Sequence, residues 1–356
     1  MRSLLLTLCL LIACKASYAT QTLVFPHSCT TGSSIVIAAV GDVILHPPLQ
    51  QKGAQKGFES LWKEAIPYIK SADIAYANLE GPMAPGLNYT GFPLFNYPPS
   101  LGSALKESGF DILSTANNHA LDRVSIGVDE TIASLDKINM AHVGTRKLGS
   151  QQEMFYIMPY KDFKIAWISC TEHTNGITNG DNQILYCYKK NDKQWILNKI
   201  HELKNQVDAI IVAPHWGEQY QFTPNKNQIH FAHEVLNAGA TVVIGSHPHV
   251  LQPLEKYLTP DGRSTFIMYS LGNFVSYQGT PKNRSTIILL FGLTKTSQGT
   301  LINGIRFVPM YMENRSDTIS LKRLNKNDLA MHYISNALPM GNAIYTTDIV
   351  TNPECF

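Results

Sequence analysis

Eight short apolar, β-branched runs punctuate this chain, and five of them stop on polar side chains that no core requires. The runs are SIVIAAVGD (34–42), DIAYANLE (73–80), FDILSTANNH (110–119), FKIAWISC (163–170), VDAIIVAPHWG (207–217), ATVVIGSHPH (240–249), FIMYSLGN (266–273) and STIILLFGL (285–293). Between them, FESLWKEAIPYIK (58–70), SLGSALKESG (100–109), VDETIASLDKIN (128–139) and NQIHFAHEVLNAG (227–239) carry helical spacing. Continuous apolar runs alternating with amphipathic helices predict an α/β fold whose strands are buried on both faces. The strand-rich last third calls for a mixed or a second sheet. The polar ends are Gly41-Asp42, Asn78 to Glu80, Asn117-Asn118-His119, His215 to Glu218 and His247 to His249. Open α/β sheets bind ligands at the carboxyl ends of their strands, so these five ends predict one shared site.

Carboxylates, imidazoles and an amide oxygen together suit a first-row divalent metal such as manganese, iron or zinc better than calcium. Six or more candidate ligands exceed the needs of one tetrahedral zinc. Two ions ~3.5–4 Å apart, joined by a bridging carboxylate, fit better and would activate water beside a phosphoryl-like group. In His247-Pro248-His249, the proline biases the residue before it towards extended backbone, which would aim both imidazoles to one side. A single polar residue at a strand end is usually a cap or turn former; the coincidence of five such ends is what favours a site. The other histidines have bland readings. His230 and His233 lie three apart on a helix without the H-E-x-x-H pattern, and His27, His142, His173, His201 and His332 default to the surface.

The first residues, MRSLLLTLCLLIACKASYAT, read as an export signal, with Arg2 before an apolar stretch too short to cross a bilayer. LIAC would give a lipidated Cys14 after removal of residues 1–13. Cleavage after Ala19 would remove 1–19 and release the protein, and the short apolar stretch favours this second site. Export to the periplasm or cell envelope makes disulfides reasonable for the cysteines outside the signal. Cys29–Cys355 would tie the ends and Cys170–Cys187 would close a polar loop, against the alternative of four free thiols. The formal net charge of +2, with no Lys/Arg-rich block, argues against a nucleic-acid partner. Membrane contact is expected only through a lipid anchor.

GDVILH (41–46), ANLEGP (77–82), TANNHALD (115–122), HWGEQY (215–220), GSHPHVLQP (245–253) and YSLGNF (269–274) resemble the successive motifs of the CapA family. These are bacterial capsule (poly-γ-glutamate) synthesis proteins related to the calcineurin-like metallophosphoesterases. The resemblance spans about residues 35–280 and fades beyond about 300. It implies a four-layer α/β/β/α sandwich with mixed sheets over 35–310, preceded by a linker (20–34) and followed by an extension (311–356). It also implies a metal-dependent, hydrolase-like centre. Asp42 and His249 would hold the first metal, Glu80 would bridge, and Asn118, His215 and His247 would hold the second. His119, oriented by Asp122, would stabilise or protonate the leaving oxygen. Glu218 and Asn273 would contact substrate. His46 departs from the phosphoesterase D-x-H spacing and could ligate only if its loop turns back. Two other departures are Arg123 to Gly127, where a glycine usually follows the Asp sooner, and the Glu of NLE, where many phosphoesterases use Asp.

The expected role is therefore capsule or poly-γ-glutamate biosynthesis or export, acting on an extracytoplasmic polymer or phosphoester, with membrane capsule or polyglutamate synthase components as candidate partners. A non-catalytic polymer-binding or export scaffold on the same fold is the first alternative. A periplasmic metallophosphoesterase unrelated to capsule is the second.

Overall fold

The computed structural model describes residues 31–315, 318–325 and 328–338. The export signal, Cys14, Cys29 and Cys355 lie outside the described residues. The strands are β1 (Ser33–Val43), β2 (Ile74–Leu79), β3 (Ile112–Ser114), β4 (Ala141–Val143), β5 (Phe155–Tyr160), β6 (Phe163–Thr171) and β7 (Ala209–His215), then β8 (Val242–Ile244), β9 (Leu251–Leu258), β10 (Ser264–Leu271), β11 (Asn273–Val275), β12 (Ser285–Thr296), β13 (Gly299–Glu313) and β14 (Ser320–Arg323). The helices are α1 (Pro47–Lys56), α2 (Ile66–Ser71), α3 (Ser100–Glu107), α4 (Val124–Lys137), α5 (Lys190–Leu203), α6 (Lys226–Ala238), α7 (Pro281–Arg284) and α8 (Met331–Ala337).

Two mixed sheets result. One has the order β14-β13-β12-β1-β2-β3-β4, with β11 pairing β1; the other has the order β5-β6-β7-β8-β10-β9. Their centres are parallel: β1 to β4 in the first, and β6, β7, β8 and β10 in the second. Strand alternation sorts the side chains into layers. Ile35, Ile37 and Ala39 of β1 face inwards with Ile165 and Trp167 of β6 and Ile211 of β7. Val36, Ala38 and Val40 face outwards onto Leu49 of α1 and Leu101 and Leu105 of α3. On the far side, Ala166 and Ile168 pack with Ile196 and Ile200 of α5 and Phe231 and Val235 of α6. The rings of Tyr76 and Trp167 stack across the inter-sheet core, with centroids 5.4 Å apart. The outcome is the expected four-layer sandwich.

Several local readings need correction. Residues 58–70 do not form one helix: short 3-10 turns at Phe58–Leu61 and Lys63–Ala65 precede α2. Pro67 sits in the first turn of α2, where its missing N–H is tolerated, so it marks a helix start and breaks the longer pattern. His247 and His249 are not extended: their φ angles are +99° and +58°. Strand β13 runs through residue 310, and β14 continues the same sheet. Cys170 and Cys187 are joined by a disulfide at the base of the 171–186 loop. Among the described residues, no helix is long and apolar enough to cross a membrane.

Parallel centres bring strand carboxyl ends to one edge of each sheet, and two glycines let the edges close. A Cβ on Gly41 would lie 1.9 Å from the Gly272 carbonyl oxygen, and one on Gly245 would lie 2.1 Å from that of Tyr269. Backbone cannot yield as a side-chain tip can. Gly245→Ala is therefore expected to lower stability by about 1–3 kcal/mol. Gly279→Ala, where a Cβ meets nothing within 4 Å, should leave it nearly unchanged. Urea midpoints at constant slope provide the comparison.

Candidate metal centre

Both sheet edges supply side chains to one buried cluster. Asp42 lies on β1, Glu80 directly follows β2, and Asn118 and His119 follow β3. His215 ends β7, and the His247 to His249 turn follows β8. Local bonds fix the backbone on either side of Glu80. The Tyr97 hydroxyl donates to the Glu80 carbonyl at 2.6 Å and accepts from the Leu45 N–H at 3.2 Å. Asn117 Nδ2 donates to the Leu79 carbonyl at 2.7 Å.

Two donor sets share the Glu80 carboxylate. Glu80, His215 and His247 form one; Asp42, Glu80 and His249 form the other, with the offered atoms of each set within 4.8 Å of one another. Glu80 Oε1 lies 3.8 Å from His215 Nε2 and 3.7 Å from His249 Nε2. Asp42 Oδ2 lies 3.3 Å from His249 Nδ1. Asn118 Oδ1 approaches His215 Nε2 at 2.8 Å, and His247 Nδ1 approaches the same nitrogen at 3.0 Å. Around His215 Nε2, three acceptor-type atoms thus converge, and one proton can serve only one of them.

The cluster fits a divalent cation on its own chemistry. Both Glu80 oxygens are buried with no hydrogen-bond partner among the described residues, and burying an unpaired carboxylate is strongly unfavourable. Burial pushes the Glu80 carboxyl well above its usual range, with the Asp42 and Asp122 charges adding to the effect and His249 opposing it. Burial, then the neighbouring imidazoles, holds His215 and His247 well below the usual histidine value. They present neutral nitrogens, as a metal requires. Burial works against charging His249, but Glu80 and Asp42 outweigh it and raise the ring to about 9.

Residues 36–278 match the family described as bacterial capsule synthesis protein PGA_cap. The chain belongs to this family. Among its relatives, the PGA biosynthesis protein CapA of Bacillus subtilis is 29% identical over 286 residues, covering 76% of this chain and 71% of that protein. The capsule biosynthesis protein CapA of Bacillus anthracis is 26% identical over 308 residues, covering 82% and 71%. Of solved structures, a novel phosphatase from Mycoplasma pneumoniae aligns with a TM-score of 0.51 at 14% identity, covering 79% of this chain and 95% of that one. The NAD nucleotidase of Haemophilus influenzae aligns with a TM-score of 0.51 at 12% identity, covering 86% and 56%. At such identities the likeness is one of fold, and that fold is metallophosphoesterase-like. The chain is thus a member of a CapA-like capsule biosynthesis family, with grouped residues suited to divalent metal.

Within the family's motif order, His119 and Asp122 pair tightly: Nδ1 lies 2.7 Å from Oδ2, which also accepts the Phe95 N–H at 2.7 Å. The Phe95 ring meets the His119 ring edge-on at 4.7 Å. His46 stands apart from both donor sets. It precedes α1, its Nδ1 accepts the Tyr277 N–H at 3.3 Å, and burial, then the His249 charge, lowers it to about 4. Glu218 is solvent-exposed. Asn273 is 1% exposed and is engaged with protein: Oδ1 meets His249 Nδ1 at 2.9 Å.

Sequence reasoning left some participants unassigned. Asn78 Nδ2 donates to Asp42 Oδ1 at 2.8 Å, and the Ser246 hydroxyl meets His215 Nδ1 at 2.9 Å. Asn175, at φ +50°, accepts from Asn118 Nδ2 at 3.2 Å, which turns the Asn118 oxygen towards His215. His173, expected at the surface, lies edge-on to His247 at 5.2 Å. His173 and Asn175 sit in a loop without apolar periodicity, whereas Asn78 and Ser246 lie within the strand-end motifs but had no role assigned.

Groups that orient metal ligands typically influence affinity 10–100-fold. Asn273→Ala is therefore expected to weaken divalent-metal affinity by about that factor in a competition titration. An unchanged affinity with altered substrate binding would return Asn273 to the substrate-contact role.

Proposed function

We propose that this chain is an exported hydrolase of capsule biosynthesis, holding two divalent cations (manganese, iron or zinc) and acting on an extracytoplasmic polymer such as poly-γ-glutamate. The observation that carries this reading is Glu80, whose buried, unpartnered carboxylate is common to two donor sets. In it, Asp42 and His249 would hold one ion and Asn118, His215 and His247 the other, with Glu80 common to both donor sets. Bound there, the ions would supply Lewis acidity to a phosphoryl or amide carbonyl oxygen and lower the pKa of water.

The chain's own residues do the rest. Asp122 takes the Nδ1–H of His119 at 2.7 Å, which fixes the tautomer and leaves Nε2 to exchange a proton with the departing group. The Phe95 edge against His119 limits ring rotation and excludes water from one side. Asn78 holds the Asp42 carboxylate, and Asn273 and Ser246 hold the two rings. The sequence supports export through residues 1–19, with lipidation at Cys14 as the competing route. Family membership supports, as part of this reading, work alongside membrane-bound synthase components.

Metal analysis of the purified protein should find about two transition-metal ions per chain, lost in Asp42→Ala and His247→Ala; absence of stoichiometric metal would sink the proposal. His119→Ala should retain the metal while lowering turnover about 10²–10⁴-fold. If an Asn118→Ala, His119→Ala variant restored full polymer display in a deletion strain, a non-catalytic scaffold would replace the hydrolase.

A further inference from the structure

Beside His249 lies a cavity of about 570 Å³ that the donor sets do not use. That volume falls within the roughly 300–1,000 Å³ of small-ligand sites. Its lining brings together the rings of Tyr220, Phe222 and Tyr333 with the polar side chains of Gln278, Lys282 and Asn283. Tyr220 and Phe222 are large side chains left 49% and 40% exposed, more than folding alone would favour. Tyr220 is also held at φ +67°, an uncommon conformation for a bulky residue. Its N–H donates to the Pro248 carbonyl at 2.8 Å, pinning the 216–222 loop to the histidine turn, and its ring stands 6.1 Å from that of His249.

Lys282 gives this lining a charge. Its Nζ lies 4.6 Å from the Phe222 ring centroid, and among the described residues it has no carboxylate within ion-pair distance. Two other lining residues are bonded to residues of the candidate metal centre. Asn283 Nδ2 donates to the His249 carbonyl at 3.2 Å, and Gln278 Oε1 accepts from Asn273 Nδ2 at 3.1 Å. An ammonium without a carboxylate partner among the described residues, beside flat apolar faces, suits a carboxylate carried on a short aliphatic stem.

We propose that this cavity is a substrate subsite, receiving a carboxylate-bearing unit of the polymer next to the scissile bond, and that Lys282 determines the preference for an acidic unit. The assignment of the unit to a polymer substrate rests on the function proposed above. The unit packs its stem on Tyr220 and Phe222 and its carboxylate on Lys282. Its backbone then leads past His249 towards Glu80.

Binding of short γ-linked glutamate oligomers to the metal-loaded protein tests this without requiring turnover. The same oligomers with free carboxyls converted to amides, and inorganic tripolyphosphate, are the comparison probes. The acid form should bind about tenfold or more tightly than the amide form, and added salt should weaken this preference. Lys282→Glu should abolish the preference with metal content unchanged, while Lys282→Arg should keep it. A preference that survives in Lys282→Glu overturns the proposal, as does tripolyphosphate displacing the acid oligomer through Lys282 more strongly than the oligomer binds. Absent turnover with the Lys282-dependent preference intact would count against the hydrolase and leave the subsite standing.

Discussion

A carboxylate at 0% exposure, with neither oxygen hydrogen-bonded among the described residues, is the constraint around which this molecule is arranged. Glu80 is retained there because its surroundings converge upon it. Neither sheet alone could provide them, since Asp42 comes from β1 in one sheet and His215 from β7 in the other. The sandwich must therefore close with the carboxyl ends of its parallel centres at a common edge. Gly41 and Gly245, each against a carbonyl oxygen that a Cβ would strike, show how little slack that closure leaves. Tyr97 and Asn117 then fix the backbone on either side of the glutamate through its own and the preceding carbonyl.

Strands buried on both faces were legible in the continuous apolar runs, whereas the four layers were implied by the family resemblance. Ile165 and Trp167 face one way and Ala166 and Ile168 the other, as the period of two requires. Helices were legible in proportion to their apolar stripe. Helix α6 buries Phe231, Ala232, Val235 and Leu236 and was visible. Helix α1 buries only Leu49 and Gly53, a stripe too thin to stand out, whereas α5 carries Ile196, Ile200 and Leu203 at helical spacing amid many polar residues. These helices form through contact with a sheet that already exists, so their cause is tertiary.

Site residue types were also legible, but their geometry was not. Proline after His247 favours extended backbone when only neighbours are considered. In the folded chain, the His247 N–H approaches Asp42 Oδ2 at 3.3 Å and the Pro248 carbonyl accepts from Tyr220. Those long-range bonds hold a turn that local preference disfavours. The two rings still converge, with centroids 5.9 Å apart, although a turn and not a strand brings them together. Asn175 and Ser246 were hidden for a related reason. A side chain that orients another residue's amide or imidazole has no sequence period, and its partner is distant in the chain.

Asn273 shows why an amide, and not a carboxylate, belongs between the metal centre and the neighbouring cavity. Its oxygen takes the His249 Nδ1–H, while its Nδ2 is shared among the His249 carbonyl at 3.3 Å, Gln278 Oε1 at 3.1 Å and the Asn283 carbonyl at 3.0 Å. An ionised Asp of the same shape would accept from the imidazole but leave three acceptors facing an acceptor. It would also add a negative charge beside Asp42 and Glu80, where burial already disfavours one. The amide satisfies both sides without charge, and so fixes His249 and the cavity wall in one rigid unit. Any ligand that presses on Gln278 or Asn283 therefore acts on the orientation of an imidazole facing Glu80, through two hydrogen bonds and no moving backbone.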